Sequence, residues 1–171
     1  MKRIFFTGML ILITAGSVIA QTPYTVSKDE KHPEVTVLNG VITKYALIND
    51  PQYNWYPSNQ GYYTPATEII NAMEAAKDKV QFVIFGGTWC EDTQFIIPKF
   101  FKLQELSGLP DNSISFFGVN RAKQTLGNIA AAFKITNVPT IIVMKDGKEV
   151  GRVVEYGKTG KWDVELAELL K

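Results

Sequence analysis

The sequence predicts an α/β domain: one mixed β-sheet flanked by helices, with an N-terminal β-hairpin extension. Three observations predict it. Val80–Phe85 and Ile114–Val119 are continuous apolar runs of strand length, the pattern of strands buried on both faces. Segments with apolar residues at helical spacing separate and follow these runs, which builds parallel crossover units. Thr140–Met144 and Glu149–Val154 then flank a turn at Asp146-Gly147, which adds an antiparallel pair. The predicted order is hairpin, α, β, α, β, α, β, β, α, with no internal repeat and one core.

From the N-terminus, Met1-Lys2-Arg3 is a short basic segment, and Ile4–Ala20 is uncharged and mostly apolar. Small residues near Ala20 precede Gln21-Thr22-Pro23, so residues 1–20 read as a cleaved secretory signal peptide. The apolar stretch is marginal for crossing a bilayer, and no cysteine near Ala20 offers a site for lipid attachment. The expected location is therefore the periplasm or the extracellular space, with no stable membrane insertion after cleavage.

Residues 21–63 read as an N-terminal extension. Gln21–Pro33 is polar and expected to be loosely held. Val35–Leu38 and Val41–Tyr45 flank Asn39-Gly40, a two-residue hairpin signal. Asp50–Tyr63 lacks a period but carries Tyr53, Trp55, Tyr56, Tyr62 and Tyr63 with Pro57 and Gly61, which predicts a long ordered loop.

Residues 64–171 read as the main domain. Thr64 as N-cap and Pro65 in the first turn open a helix whose inner face is Ile69, Ile70, Met73 and Ala76. After the first buried strand, Gly86-Gly87-Thr88 breaks the chain, and a helix is expected from Cys90 to about Leu106, interrupted by Pro98. Leu126, Ile129, Ala130 and Phe133 mark another helix, and Trp162, Leu166, Leu169 and Leu170 line a final amphipathic one.

Composition narrows the function. Lys and Arg total 18 against 17 Asp and Glu, so no basic stripe points to nucleic acid. With about 150 residues after the signal, the chain suffices for one packed core. Its single cysteine, Cys90, cannot form an internal disulfide. An odd cysteine in an exported chain is either structural filler or a reactive thiol. Cys90 lies at a strand-to-helix junction, where open α/β sheets place their sites.

The residues around it resemble the thioredoxin superfamily. Phe85-Gly86-Gly87-Thr88-Trp89-Cys90 is similar to the end of the family's central strand and the Trp-Cys entry to its active-site helix. Pro98 matches the proline that kinks that helix, Asn137-Val138-Pro139-Thr140 the segment with the family's cis-proline, and Lys145-Asp146-Gly147-Lys148 the last hairpin. The resemblance covers about residues 64–171. Two departures stand out. The family's Cys-x-x-Cys is Cys90-Glu91-Asp92-Thr93 here, and the buried acid that the family carries six residues before the first cysteine is Ile84.

The resemblance implies Cys90 and Thr93 as catalytic residues, with Trp89, Val138 and Pro139 binding substrate. A thiolate at a helix N-terminus is favoured by free backbone N–H groups, and Thr93, one turn on, is in reach to donate a hydrogen bond to it. Glu91 and Asp92 oppose the charge, so the expected thiol is reactive without being extremely acidic. A cis Val138–Pro139 bond turns the Val138 backbone outward for pairing with an extended substrate, with Trp89 as an apolar wall. The implied chemistry is monothiol thiol–disulfide exchange by a monomer, with protein disulfides or low-molecular-weight thiols as substrates and no cofactor.

Two other readings compete. One is a non-catalytic binding module that uses the cis-proline groove and the Tyr53–Tyr63 aromatics. The other is a thiol-dependent peroxidase with Thr88, Thr93 and Arg121 as donors around the sulfur. No metal is expected, since His32 is the only histidine and lies far from Cys90 in sequence.

Overall fold

The computed structural model describes residues 23–171, so the predicted signal segment lies outside the described residues. Six strands form one sheet in the order β1-β2-β4-β3-β5-β6. They are β1 (Tyr24–Lys28), β2 (Thr36–Ile42), β3 (Gln81–Gly86), β4 (Ile114–Gly118), β5 (Thr140–Lys145) and β6 (Lys148–Val154). Only β3 and β4 run parallel; every other neighbouring pair is antiparallel. The two apolar runs thus lie in the middle of the sheet. Phe82, Ile84 and Phe85 of β3 are each at most 1% exposed, which is why neither run alternates in polarity.

The N-terminal pairing differs from the expected hairpin. Asn39-Gly40 is no turn; it lies inside β2, whose partner on one side is β1 and on the other β4. The connection between β1 and β2 is residues 29–35. There Asp29 accepts from the N–H groups of Lys31 (3.0 Å) and His32 (2.9 Å), and the Asp29 N–H donates to the Val35 carbonyl (2.9 Å). Val37, Leu38 and Ile42 are all buried, so both halves of the segment gain more by staying in the sheet than by folding on each other. Gly40 is needed for a different reason than a tight turn. Its φ is +133°, and a Cβ there would sit 2.5 Å from the Pro23 carbonyl oxygen.

Six helices complete the described chain: α1 (Lys44–Ile48), α2 (Trp55–Gly61), α3 (Thr67–Ala76), α4 (Glu91–Ser107), α5 (Ile129–Ala132) and α6 (Trp162–Leu169). The expected aromatic loop is in fact a 3₁₀ turn at Pro51–Tyr53 followed by α2. Its rings supply the packing that holds it. Tyr53 and Tyr56 are 3% and 0% exposed, and Tyr56 lies 6.4 Å from Phe101 of α4. α3 begins two residues later than the caps suggest, with Ala66 as N-cap. α5 is a single turn: Ala130 is buried, but Leu126 falls outside the helix and is exposed.

α4 positions the site. It buries Ile96, Ile97, Phe100, Phe101 and Leu103 against the sheet and α2, and each such side chain contributes about 1.5–3 kcal/mol by leaving water. Pro98 has no N–H to donate to the carbonyl four residues earlier, that of Gln94. The Asn59 side chain of α2 supplies the missing donor, with Nδ2 3.1 Å from the Gln94 oxygen. Gly108, in the left-handed conformation, ends the helix.

Candidate functional site

Cys90 is the N-cap of α4, with extended backbone angles and a partly exposed side chain. Its N–H donates to the Gly87 carbonyl (2.9 Å), and its own carbonyl accepts from Gln94 N–H (3.0 Å). The loop is thereby closed around the sulfur. The Cys90 Sγ lies 3.2 Å from the Val138 carbonyl oxygen, the acceptor for its S–H. Val138–Pro139 is a cis peptide. The Val138 side chain itself points into a small core with Phe85, Val119, Ala130, Ile135 and Ile142, and Pro139 is also buried. At this position only backbone is offered to the site.

Thr93 is brought close but is occupied differently from the expectation. It is 1% exposed, and its Oγ1 accepts from Gly87 N–H at 3.2 Å. Its methyl packs where a side chain on Gly86 would be, 2.9 Å from an ideal Cβ. The hydroxyl therefore braces the Gly86-Gly87 bend, and the hydrogen bond of the sulfur goes to Val138. Thr88 is likewise committed. Its hydroxyl donates to the Thr36 carbonyl (2.7 Å) and accepts from Leu38 N–H (3.4 Å), so the Cys90 loop is pinned to β2.

Trp89 folds back over the loop. Its indole N–H donates to the Val119 carbonyl at 2.8 Å. Gly87 makes this possible, because a Cβ there would sit 2.6 Å from the indole ring. The Arg121 guanidinium stacks on that ring at 4.7 Å and Lys123 Nζ lies 5.7 Å from it.

Arg121 and Asp29 are the functional neighbours that sequence reasoning missed as a pair. Arg121 donates from Nε and a terminal nitrogen to both Asp29 oxygens, at 2.7 and 2.9 Å, and the Asp29 side chain is 1% exposed. That bonding, aided by the Lys31 and His32 N–H groups, holds the Asp29 carboxyl below its usual range. The two residues are 92 positions apart, and no local pattern links them. The pair draws the 29–35 connection over the site. A cleft of about 480 Å³ opens between them, lined by His32, Glu34, Trp89, Cys90, Asp92 and Arg121 among others. His32, remote in sequence, thus stands on its rim. Two of the expected peroxidase donors are engaged elsewhere, Arg121 on Asp29 and Thr88 on β2, while the Thr93 hydroxyl accepts from Gly87.

Ile84, where the family resemblance puts a buried acid, is fully enclosed opposite Phe116 and Ile141. Among the described residues, no group of three or more His, Cys, Asp or Glu side chains is placed to hold a metal ion. No helix among them is long and apolar enough to cross a membrane.

A mixed sheet flanked by helices, with a cysteine capping the helix that follows the central strand, defines a thioredoxin-like redox protein. The Thioredoxin family model matches residues 67–166, and the chain belongs to that family. It is 33% identical over 86 residues to thioredoxin of Staphylococcus haemolyticus, covering 50% of this chain and 78% of that protein. Against thioredoxin-1 of Saccharomyces cerevisiae the identity is 32% over 92 residues, covering 54% of this chain and 82% of the yeast protein. A thioredoxin-like protein of Acanthamoeba polyphaga mimivirus is 33% identical over 76 residues, covering 44% of this chain; the match spans about half of that relative, 53%.

Proposed function

We propose that this protein is an exported thioredoxin-family monothiol that exchanges disulfides through Cys90. One observation carries the reading: Cys90 is partly exposed at the mouth of a cleft and is the sequence's single cysteine. It can begin an exchange, and no second thiol in the chain can complete one. The Cys90 thiolate attacks one sulfur of a substrate R–S–S–R′. The substrate S–S bond breaks, R′–S⁻ leaves and takes a proton from water, and a Cys90–S–S–R mixed disulfide forms. An external thiolate, either the substrate's own second thiol or a low-molecular-weight thiol, then attacks the substrate-side sulfur of this mixed disulfide, and the Cys90 thiolate leaves. That step regenerates Cys90 and leaves a new disulfide, so the protein ends in the redox state in which it began.

The geometry supports the roles in this reading. Trp89 walls the cleft, the Val138 carbonyl orients the S–H, and Thr93 keeps the preceding bend closed. Protein disulfides or small thiols are the substrates, and residues 1–20 direct the chain to the periplasm or out of the cell. The test is intact mass after incubation with 2-hydroxyethyl disulfide. A single half-disulfide adduct is expected, absent in Cys90→Ala and removed by added thiol, while the thermal midpoint of Cys90→Ala stays near that of the parent. A thiol that remains unmodified under these conditions would sink the exchange reading.

The aromatic segment does not favour a binding-module reading. Tyr53 and Tyr56 are core residues, Tyr63 donates to Asp163 at 2.7 Å, and Tyr62 is the ring left fully outside.

A further inference from the structure

One wall of the Cys90 cleft is built by chain that lies outside the family-matched residues 67–166. The 29–35 connection contributes His32, Glu34 and Val35 to the lining, and the Asp29–Arg121 pair clamps it there. This wall changes the charge that a substrate meets. Glu34 from the connection lines the same cleft as Glu91 and Asp92 from the first turn of α4. The cation that lines it, Arg121, is bonded through Nε and one terminal nitrogen to both Asp29 oxygens and covers Trp89, so its charge is matched before any substrate arrives. His32 is the other basic side chain on the rim, and its Nδ1 lies 3.3 Å from Glu34, which serves as its own counter-charge when it is protonated. Lys123 lies 5.7 Å from the Trp89 ring and is not part of the lining.

From this arrangement we infer that the 29–35 wall makes Cys90 selective for disulfides that carry a cationic group beside the reacting sulfur, such as a peptide disulfide flanked by Lys or Arg. The inference rests on the exchange reading above. Three acidic residues lining one cleft raise the local concentration of a cationic reagent and lower that of an anionic one. Glutathione disulfide, with net negative charge, belongs to the disfavoured class. The exchange step is unchanged: Cys90 forms one S–S bond as the substrate S–S bond breaks, and the departing thiolate takes its proton from water.

The experiment compares three symmetrical disulfides on the full protein: cystamine (cationic), 2-hydroxyethyl disulfide (neutral) and glutathione disulfide (anionic). Rates of Cys90 adduct formation are read by mass at about pH 8. Each is divided by the rate of the same reagent with 2-mercaptoethanol, which removes differences in intrinsic reactivity. Every reagent meets the same thiolate population, so the cystamine-to-glutathione ratio reports selectivity alone. We expect that normalised ratio to be about tenfold or more at low ionic strength and to approach one near 1 M salt, where the Debye length is about 3 Å. Glu34→Lys, at an exposed position, should lower it severalfold. Asp29→Asn, which loosens the wall and leaves the Arg121 charge unmatched, removes one negative charge where Glu34→Lys reverses one, and should lower it less.

A normalised ratio near or below one at low salt overturns the inference, as does a ratio that Glu34→Lys leaves unchanged. Normal reaction with the neutral reagent alongside a flat ratio removes the selectivity alone. Silence toward all three reagents removes the exchange reading and the selectivity with it.

Discussion

Residues 50–63 and residues 86–93 look alike as sequence: both join aromatic side chains to glycine or proline between periodic segments, and both read as candidate contact surfaces. The structure separates them. In the first, Tyr53 and Tyr56 turn inward and Trp55 packs beside them at 5.8 and 6.1 Å, so the rings are the means by which α2 is attached to α4. In the second, Trp89 is held at the surface by one indole hydrogen bond and a guanidinium on its face, next to a sulfur that solvent reaches. Aromatic content does not say which side of a ring faces water. That depends on whether a complementary apolar surface exists elsewhere in the chain, and α4 provides one only for the first region.

The comparison can be broken most sharply at Tyr56. Tyr56→Ala empties a fully enclosed site and should cost about 3–5 kcal/mol in denaturant unfolding, the range for large aromatic truncations. A cost below about 1 kcal/mol would mean that the segment is a surface loop after all.

The next effect concerns the clamp that shapes the second region. The Asp29 carboxyl is held below its usual value by Arg121 and by two backbone N–H groups. For a carboxyl whose folded-state value is depressed, the stabilisation is present above the unfolded-state value and is lost as pH falls through the folded-state one. The thermal midpoint of the parent should therefore exceed that of Asp29→Asn by a constant margin above about pH 5, and the margin should close below about pH 4. A margin that persists at low pH would show that the contact acts through packing and not through charge.

Asn59 links the two regions, since it satisfies the Gln94 carbonyl that Pro98 leaves without a donor in the helix Cys90 caps. Asn59→Ala should cost about 1 kcal/mol and raise amide exchange in the first turns of α4. The smallest effect again falls on Tyr56. Its hydroxyl, like that of Tyr53, is buried without a hydrogen-bond partner among the described residues, and burial pushes the Tyr53 phenol up to about 12 and the Tyr56 phenol higher still. Tyr56→Phe keeps the ring and removes the unsatisfied oxygen, so stability should stay level or rise by up to about 1 kcal/mol. A clear loss would reveal a partner for that hydroxyl.

Much of the fold could be read in advance where the signal was local. The apolar runs of β3 and β4, the Asp146-Gly147 turn with its two positive φ values, and the helix that Cys90 opens all rest on neighbouring residues. The misreadings share one cause. Asn39-Gly40 carries a turn signature, yet the strand continues because β1 and β4 offer partners on both sides. The aromatic segment lacks a period because its 3₁₀ turn and α2 each bury only one or two rings. Thr93 lies one helical turn after Cys90, but its hydroxyl accepts from the Gly87 N–H of the preceding bend at 3.2 Å, a contact with no local mark in the sequence.

By itself the sequence determined the α/β architecture, the membership of residues 67–166 in the thioredoxin family and the presence of one thiol at the head of a helix. Those features depend on hydrophobic periodicity, turn chemistry and short motifs, which span a few residues each. Only the tertiary structure decided that Asp29 meets Arg121, that the 29–35 connection walls the cleft with Glu34, and that the Cys90 sulfur finds the Val138 carbonyl. The Asp29–Arg121 and Cys90–Val138 contacts join positions 92 and 48 residues apart. Their formation is settled by how the sheet and helices pack, because a charge or a carbonyl carries no local mark of the partner it will meet.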